Sequence, residues 1–242
     1  MIRWRKGEVV RIRREWPGAM ELDVAVPGED GPPGSGPGAP CRALAYPSLV
    51  GRPEPGDEVL LNTTALAMGL GTGGYAMVVA VPNRLPEDPQ GPGHLVKARY
   101  TPLQATVLGA DEQDSPHHEA LREADSVDGM PVVVADLHSA LAPILCGLYA
   151  DAGSSVRVAY VMLDGGALPA WFSMSAAALR ERGWLAGTVT VGQAFGGDVE
   201  AVTTHTGLLA ARHVLGGGRG GRRAGPGQPG LGHPLGGSPG CR

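Results

Sequence analysis

Four continuous apolar runs, at 105–110, 131–135, 156–162 and 187–191, constrain this chain more than any other feature. Runs of that length without alternation are the pattern of strands buried on both faces. Helical patterns lie between them. Ser115 followed by Pro116 fits an N-cap and a first helical residue, predicting a helix through Ala124. Ser139 fits the N-cap of a second helix that stops before Gly153, and Ser173 or Ser175 opens a third that ends at Gly183. A fourth is expected over 199–215. Repeated strand–helix alternation predicts an α/β unit whose mainly parallel sheet is flanked by helices.

The front of the chain has another rhythm. Residues 8–13 alternate, 20–26 alternate around Leu22, Val24 and Val26, 58–61 follow a Pro55-Gly56-Asp57 turn, and 75–81 form an apolar strand. These short strands predict a small β-barrel or β-sandwich, with 27–40 as a solvated Pro/Gly/Ser loop between strands. Pro82, Pro86, Pro89 and Pro92 mark a boundary. The expected organisation is a β-rich, barrel-like domain over 1–81, a linker over 82–93 and an α/β domain over 94–215. The last segment, 216–242, holds twelve glycines and four prolines in 27 residues and is expected to stay unfolded.

Charge narrows the partners. The final segment carries Arg219, Arg222, Arg223 and Arg242 without an acid, so residues 1–215 set 16 basic against 24 acidic side chains, a net charge of −8. Such a body is expected to bind neither nucleic acid nor an anionic membrane. The early basic residues (Arg3, Arg5, Lys6, Arg11, Arg13, Arg14) alternate with Trp4, Val9, Val10 and Ile12, which reads as the wet face of a strand. Cys41, Cys146 and Cys241 form no CxxC, there is no stretch of 18 apolar residues, and Met-Ile-Arg-Trp-Arg-Lys is no signal segment. A cytoplasmic location is expected, and nothing indicates an oligomer.

In open α/β sheets ligands bind outside the carboxyl ends of the strands. The residues following the four runs are Asp111-Glu112-Gln113, Asp136-Leu137-His138-Ser139, Asp164-Gly165-Gly166, and Gly192 through Asp198. His138 is the candidate acid/base, with Asp136 as its orienter or a second carboxylate. Gln193, Gly196 and Gly197 are candidates for a ligand cradle, because glycine admits close backbone approach. Thr204, His205 and Thr206, at a helix start, are candidates for holding a carboxylate or phosphate. Lys97 and Arg99 alternate with Thr101 and would supply charge to an anionic substrate. Asp, Gly and Thr are also ordinary turn and capping residues, and a solvated edge strand explains Lys97 and Arg99 equally. The functional expectation is binding of, or catalysis on, a small polar or anionic metabolite in that crevice. The alternative is a non-catalytic ligand sensor or scaffold that uses the β-rich part as its partner surface.

Formal cofactor and metal signatures fail on context. Gly69, Gly71 and Gly74 fit GxGxxG but precede a strand, where a helix is required, and Gly216, Gly218 and Gly221 fall in the final segment. Gly236-Gly237-Ser238-Pro239-Gly240 fits GxSxG without a preceding strand. Adjacent His117 and His118 splay about 100° apart on a helix, and His205 and His213 stand roughly 12 Å apart along one. No cofactor is assigned, and no metal site is expected.

Four ordered segments carry a resemblance: 93–104 (GHLVKARYTPLQ), 115–121 (SPHHEAL), 137–143 (LHSALAP) and 192–198 (GQAFGGD). Together they resemble a bacterial family of uncharacterised proteins, domain of unknown function DUF3866, over about residues 1–215. The resemblance implies no activity. It implies a continuation beyond 215 with another apolar strand, a Gly-Pro-Gly loop and a stretch rich in Ser and His, where this chain has Gly-Arg-Gly-Gly-Arg-Arg. A frameshifted or truncated product is the expectation, because out-of-frame GC-rich codons yield Gly, Arg, Pro and Ala. Translating the other two frames from the codon of Gly216 checks it: one should encode an apolar strand, and low complexity in both refutes it.

Overall fold

The computed structural model describes residues 1–28, 39–71, 73–166, 169–216 and 218–219. Most of the loop expected at 27–40 and of the segment expected to be unfolded at 216–242 therefore lies outside the described residues.

The front of the chain closes into a barrel. Its strands are β1 (Trp4–Trp16), β2 (Ala19–Ala25), β3 (Cys41–Ala45), β4 (Glu58–Asn62) and β5 (Ala76–Ala80), with short helices α1 (Pro47–Val50) and α2 (Thr64–Ala67) between β3, β4 and β5. The order around the barrel is β1-β2-β3-β5-β4, parallel only between β3 and β5. That is the Greek-key connectivity of OB-type barrels. Alternate residues fill the interior: Val9, Leu22, Val24, Ala43, Val59, Leu61, Ala76 and Val78 are all buried. Fully burying a Val or Leu contributes about 1.5–3 kcal/mol, so this row is the main stabilisation of the barrel. β3 went unforeseen because Cys-Arg-Ala-Leu-Ala has too little bulk or alternation to stand out, although every residue but Arg42 is buried.

The outer face of β2 carries Glu21 and Asp23, both buried beneath arginines. Burial pushes both carboxyls up, but hydrogen bonds from Arg42 and Arg14 to Glu21, and from Arg11 and Arg13 to Asp23, outweigh it and hold both below their ordinary values. The unfolded chain therefore takes up protons first. The stabilisation is complete above the unfolded carboxylate value of about 4 and is lost as pH falls through the lowered folded values. Urea midpoints should accordingly drop below about pH 4, and Glu21→Gln should lessen that acid slope.

The segment 82–93 has no regular element. Arg84 fastens it to the barrel through Asp57 Oδ2 (2.5 Å) and the carbonyl of Arg52 (3.0 Å).

Beyond it, β6 (Leu95–Lys97) and β7 (Ala105–Val107) pair antiparallel, and α3 (His118–Arg122) follows. A 3-10 turn at His138–Ala140 runs into α4 (Leu141–Ala152), and then come β8 (Val156–Arg157), β9 (Ala159–Met162), α5 (Met174–Glu181), β10 (Gly187–Val191), β11 (Val199–Ala201), α6 (Thr204–His213) and β12 (Gly218–Arg219). β9, β10 and β11 form a parallel sheet in the order β11-β10-β9, extended by one parallel bridge from Gly109 to Glu200. Alternation sorts its faces. Val161, Val189, Val191, Val199 and Ala201 pack against α6 and Leu121 of α3, whereas Tyr160 joins Leu141, Leu145, Leu179 and Leu185 on the α4–α5 side.

Helices thus cover both faces, but the expectation of a mainly parallel sheet needs correction. Among the described residues the parallel part has three strands, accompanied by antiparallel pairs β6–β7 and β8–β12. The run at 131–135 is not a strand; Val132, Val133 and Val134 lie in exposed coil. Of the run at 105–110, only Gly109 and Ala110 reach the parallel sheet, and Ala105–Val107 turn back onto β6. The helix expected over 199–215 divides into β11 and α6, because Glu200 spends its side chain inside the sheet. Gly218–Arg219, placed in the segment expected to be unfolded, pair with β8.

Trp171 joins the barrel to the α/β unit. Its carbonyl accepts from Trp16 Nε1 (2.7 Å), and its ring meets Phe195 edge-on. Two glycines with positive φ bracket the indole: Gly18 in the β1–β2 turn and Gly196 after β10. A Cβ on either would fall within 2.2 Å and 2.7 Å of ring atoms respectively, so only glycine fits at both.

Candidate functional site

The carboxyl edge of the parallel sheet does gather several expected residues, but around an internal ion pair. Lys97 is wholly buried; its Nζ reaches the carbonyls of Ala201 (2.8 Å), Ala194 (2.9 Å) and Thr190 (3.4 Å), and Glu200 Oε2 (3.4 Å). An ammonium, with three donors and no acceptor, matches this set of three carbonyls and a carboxylate. Glu200 in turn accepts from Thr190 Oγ1 (2.7 Å) and Gly196 N (2.6 Å). Burial pulls the Lys97 ammonium down and pushes the Glu200 carboxyl up, while each partner opposes the shift of the other.

Other backbone donors of this edge are similarly occupied. Asp164 accepts from Gln193 N (2.5 Å) and Ala194 N (3.0 Å), and Gly197 N donates to Thr190 Oγ1 (3.1 Å). Gly196 and Gly197 therefore serve close packing, against Trp171 and the Thr188 carbonyl, and the cradle expected of them is filled by the protein itself. Arg99 is exposed, with its backbone N–H donating to Gln193 Oε1 (2.8 Å). The expected stripe of Lys97, Arg99 and Thr101 does not form, because β6 ends at Lys97 and Ala98 takes a positive φ of 48°. At the start of α6, Thr203 Oγ1 accepts from Thr206 N (3.1 Å), the ordinary capping role, and Thr204 and His205 are exposed.

His138 stands apart from that edge, on the α4–α5 face. With 131–135 outside the sheet, Asp136 is exposed and the imidazole meets other partners. Nδ1 lies 2.8 Å from Tyr160 Oη of β9, and Nε2 lies 2.6 Å from Ser173 Oγ, the N-cap of α5. Ser173 Oγ also accepts from Ala176 N (3.0 Å); in the imidazole tautomer with its hydrogen on Nδ1, Ser173 donates to Nε2 and Nδ1–H donates to Tyr160, the arrangement a general base requires. Burial holds the imidazole below its ordinary value, hence neutral at neutral pH, and holds the Tyr160 phenol up in its protonated form. A hydroxyl, a neutral base within hydrogen-bond reach and a third group on the second nitrogen of the base make the arrangement of an activated nucleophile.

Ser173 entered the sequence reading only as an N-cap, and Tyr160 as one residue of an apolar run. Thirty-five positions separate His138 from Ser173, and no local spacing could join them. Exposed apolar side chains adjoin the trio in the chain: Leu137 before His138, Met174 after Ser173 and Leu163 three residues beyond Tyr160. Among the described residues no group of His, Cys, Asp and Glu could hold a metal ion, and no helix is long and apolar enough to cross a membrane.

A family model described as "Protein of unknown function (DUF3866)" matches residues 42–240. The match runs through the segment after 215 where the sequence was expected to depart from that family. No curated protein and no solved structure matches the chain.

Proposed function

The chain belongs to the DUF3866 family, whose description assigns no activity, and we propose from the geometry that its α/β unit is a serine-nucleophile enzyme acting on a small acylated compound. The carrying observation is the 2.6 Å contact between His138 Nε2 and Ser173 Oγ, with Tyr160 on the other ring nitrogen. This reading keeps His138 as acid/base and gives the orienting place expected of Asp136 to Tyr160.

In the proposed reaction Ser173 Oγ attacks the carbonyl carbon of an ester or thioester while its proton passes to His138 Nε2. The tetrahedral intermediate collapses, the bond to the alcohol or thiol leaving group breaks, and that group departs with the proton from the imidazolium. Water then attacks the acyl-serine, giving its proton to Nε2, and Ser173 leaves protonated with release of the acid. The N-terminus of α5 lies at the nucleophile and favours developing negative charge. A neutral phenol steadies an imidazolium less than a carboxylate does, so turnover is expected to be modest.

Leu137 and Met174, exposed and next to His138 and Ser173 in the chain, are our ground for expecting an uncharged acyl group rather than the anionic substrate expected from Lys97 and Arg99. Lys97 is buried in its ion pair, and Arg99 flanks Gln193. Hydrolysis of p-nitrophenyl esters with acetyl, butyryl and succinyl groups tests this. Turnover of the uncharged esters above the succinyl ester supports the reading, and no turnover of any above the spontaneous rate removes it. A structural reading has its own observation, the Ala176 N–H bond to Ser173 Oγ, which caps α5 and makes the trio a clamp between α4, β9 and α5.

A further inference from the structure

We propose that the outer face of β1–β2–β3 binds single-stranded nucleic acid through its phosphate backbone. Two β-bulges in β1 create this face. Pairing with β2 shifts between Val9 and Arg11 and again between Ile12 and Arg14, so Val10 and Arg13 are extra residues. A regular strand would turn Arg14 to the side opposite Arg11 and Arg13. With the bulges, Arg11 opposes Asp23, Arg14 opposes Glu21, and Arg13 bonds to both carboxylates. Bulges re-aim side chains in this way and are features of a fold rather than defects.

Arg42 of β3 completes the set, bonded to Glu21 and stacked over Tyr75 at 4.4 Å. Arg14 lies over Trp16 at 5.8 Å. Four guanidiniums thus stand over two carboxylates. The arginine side chains are 65%, 40%, 51% and 37% exposed for Arg11, Arg13, Arg14 and Arg42, whereas Glu21 and Asp23 are 1% and 5% exposed. The cations meet solvent and the anions lie beneath, so the layer of this face that meets solvent is cationic, with a formal total of +2. The fork geometry of arginine matches phosphate oxygens, and the buried carboxylates hold the forks in place beforehand. Barrels of this connectivity use the β2–β3 face for oligonucleotides, a fold-level analogy.

The charge of the body does not oppose this. Residues 1–81 hold eight Lys and Arg against nine Asp and Glu, while 82–215 hold eight against fifteen. The −8 therefore resides almost wholly in the α/β unit, which leaves the barrel as the side that a polyanion approaches.

The test is fluorescence anisotropy of the full chain with a labelled 15-nucleotide single-stranded DNA between about 50 and 200 mM salt. Three or four phosphate contacts give an expected slope of log affinity against log salt of about −2 to −3. Arg11→Gln leaves Asp23 paired with Arg13, so the barrel should keep its thermal midpoint. Affinity at 50 mM should fall about threefold to tenfold and the slope should shrink by about 0.7. Arg222→Gln with Arg223→Gln, outside the described residues, should alter the slope less than Arg11→Gln does. Should Arg11→Gln lose its thermal midpoint, Arg11→Lys decides instead: a retained slope supports the proposal and a lost one overturns it. Absence of binding at 50 mM, a slope carried by Arg222 and Arg223, or equal displacement of the DNA by polyglutamate of the same charge would each overturn it, the last in favour of an acidic protein partner.

Discussion

Lys97→Met should cost about 3–5 kcal/mol of stability, enough to unfold much of a protein whose total is about 5–15 kcal/mol. The substitution roughly preserves volume, so the loss is electrostatic. Glu200 would stay buried without its countercharge, and the carbonyls of Ala194 and Ala201 would lose their donor. Removing one partner of a buried pair is far more damaging than replacing both. Lys97→Met with Glu200→Gln should therefore recover at least about 1 kcal/mol of the loss in urea denaturation, since an amide carries no charge, keeps an oxygen to accept from Gly196 N and turns an NH2 donor toward Thr190 Oγ1. A single variant that loses less than about 1 kcal/mol would contradict the account, because an ammonium satisfied by four acceptors cannot be energetically idle. The same reasoning explains why Lys97 cannot meet a ligand: its donors already hold the ends of β10 and β11 together.

Ser173→Ala and His138→Ala should each lower kcat for the preferred ester by about 10²–10⁴-fold, and the double variant should be scarcely worse than either alone. Groups that act as one unit fail together, whereas two independent contributions would multiply. The pH profile separates chemistry from structure. Burial lowers the folded-state value of His138, so activity should stay on its plateau as pH falls past the ordinary histidine value of about 6.5 and decline only below it. The sign for stability is the same: the unfolded imidazole takes up a proton first, so any stability His138 contributes is present above about pH 6.5 and is lost below it. Tyr160→Phe keeps the ring but removes the acceptor for Nδ1–H. It should cost less than Ser173→Ala and lower further the pH at which activity declines, because the imidazolium loses its acceptor, an effect that a purely structural role would not produce.

The barrel was legible because alternation in a half-buried strand is a two-residue pattern, and Leu22, Val24 and Val26 display it plainly. Its bulges were not legible. Nothing in Arg11-Ile12-Arg13-Arg14 shows that β1 slips twice against β2, yet those slips turn an ordinary wet strand into a face of four arginines. In the α/β unit, Gly187–Val191 was legible as a buried strand because the run carries no charge, Thr188 and Thr190 being its polar members. Val132, Val133 and Val134 had the same appearance and lie in solvent, since an apolar run states a preference for burial without naming a neighbour. β11 was hidden by Glu200, which looks like a helical surface residue until its partner Lys97, 103 positions earlier, is known. His138 was singled out for its chemistry alone. Its partners lay out of sight, because Tyr160 and Ser173 reach it only through the packing of α4 and α5 on β9.

The central claim is that Ser173 is an activated nucleophile, and intact-mass measurement after incubation with a fluorophosphonate tests it most directly. The account requires one adduct, placed on Ser173 by peptide mapping, absent from Ser173→Ala and formed at least about a hundredfold more slowly in His138→Ala. A folded protein that gains no adduct, or gains it on another residue, would leave the hydrogen bonds of Ser173, His138 and Tyr160 as a clamp and nothing more.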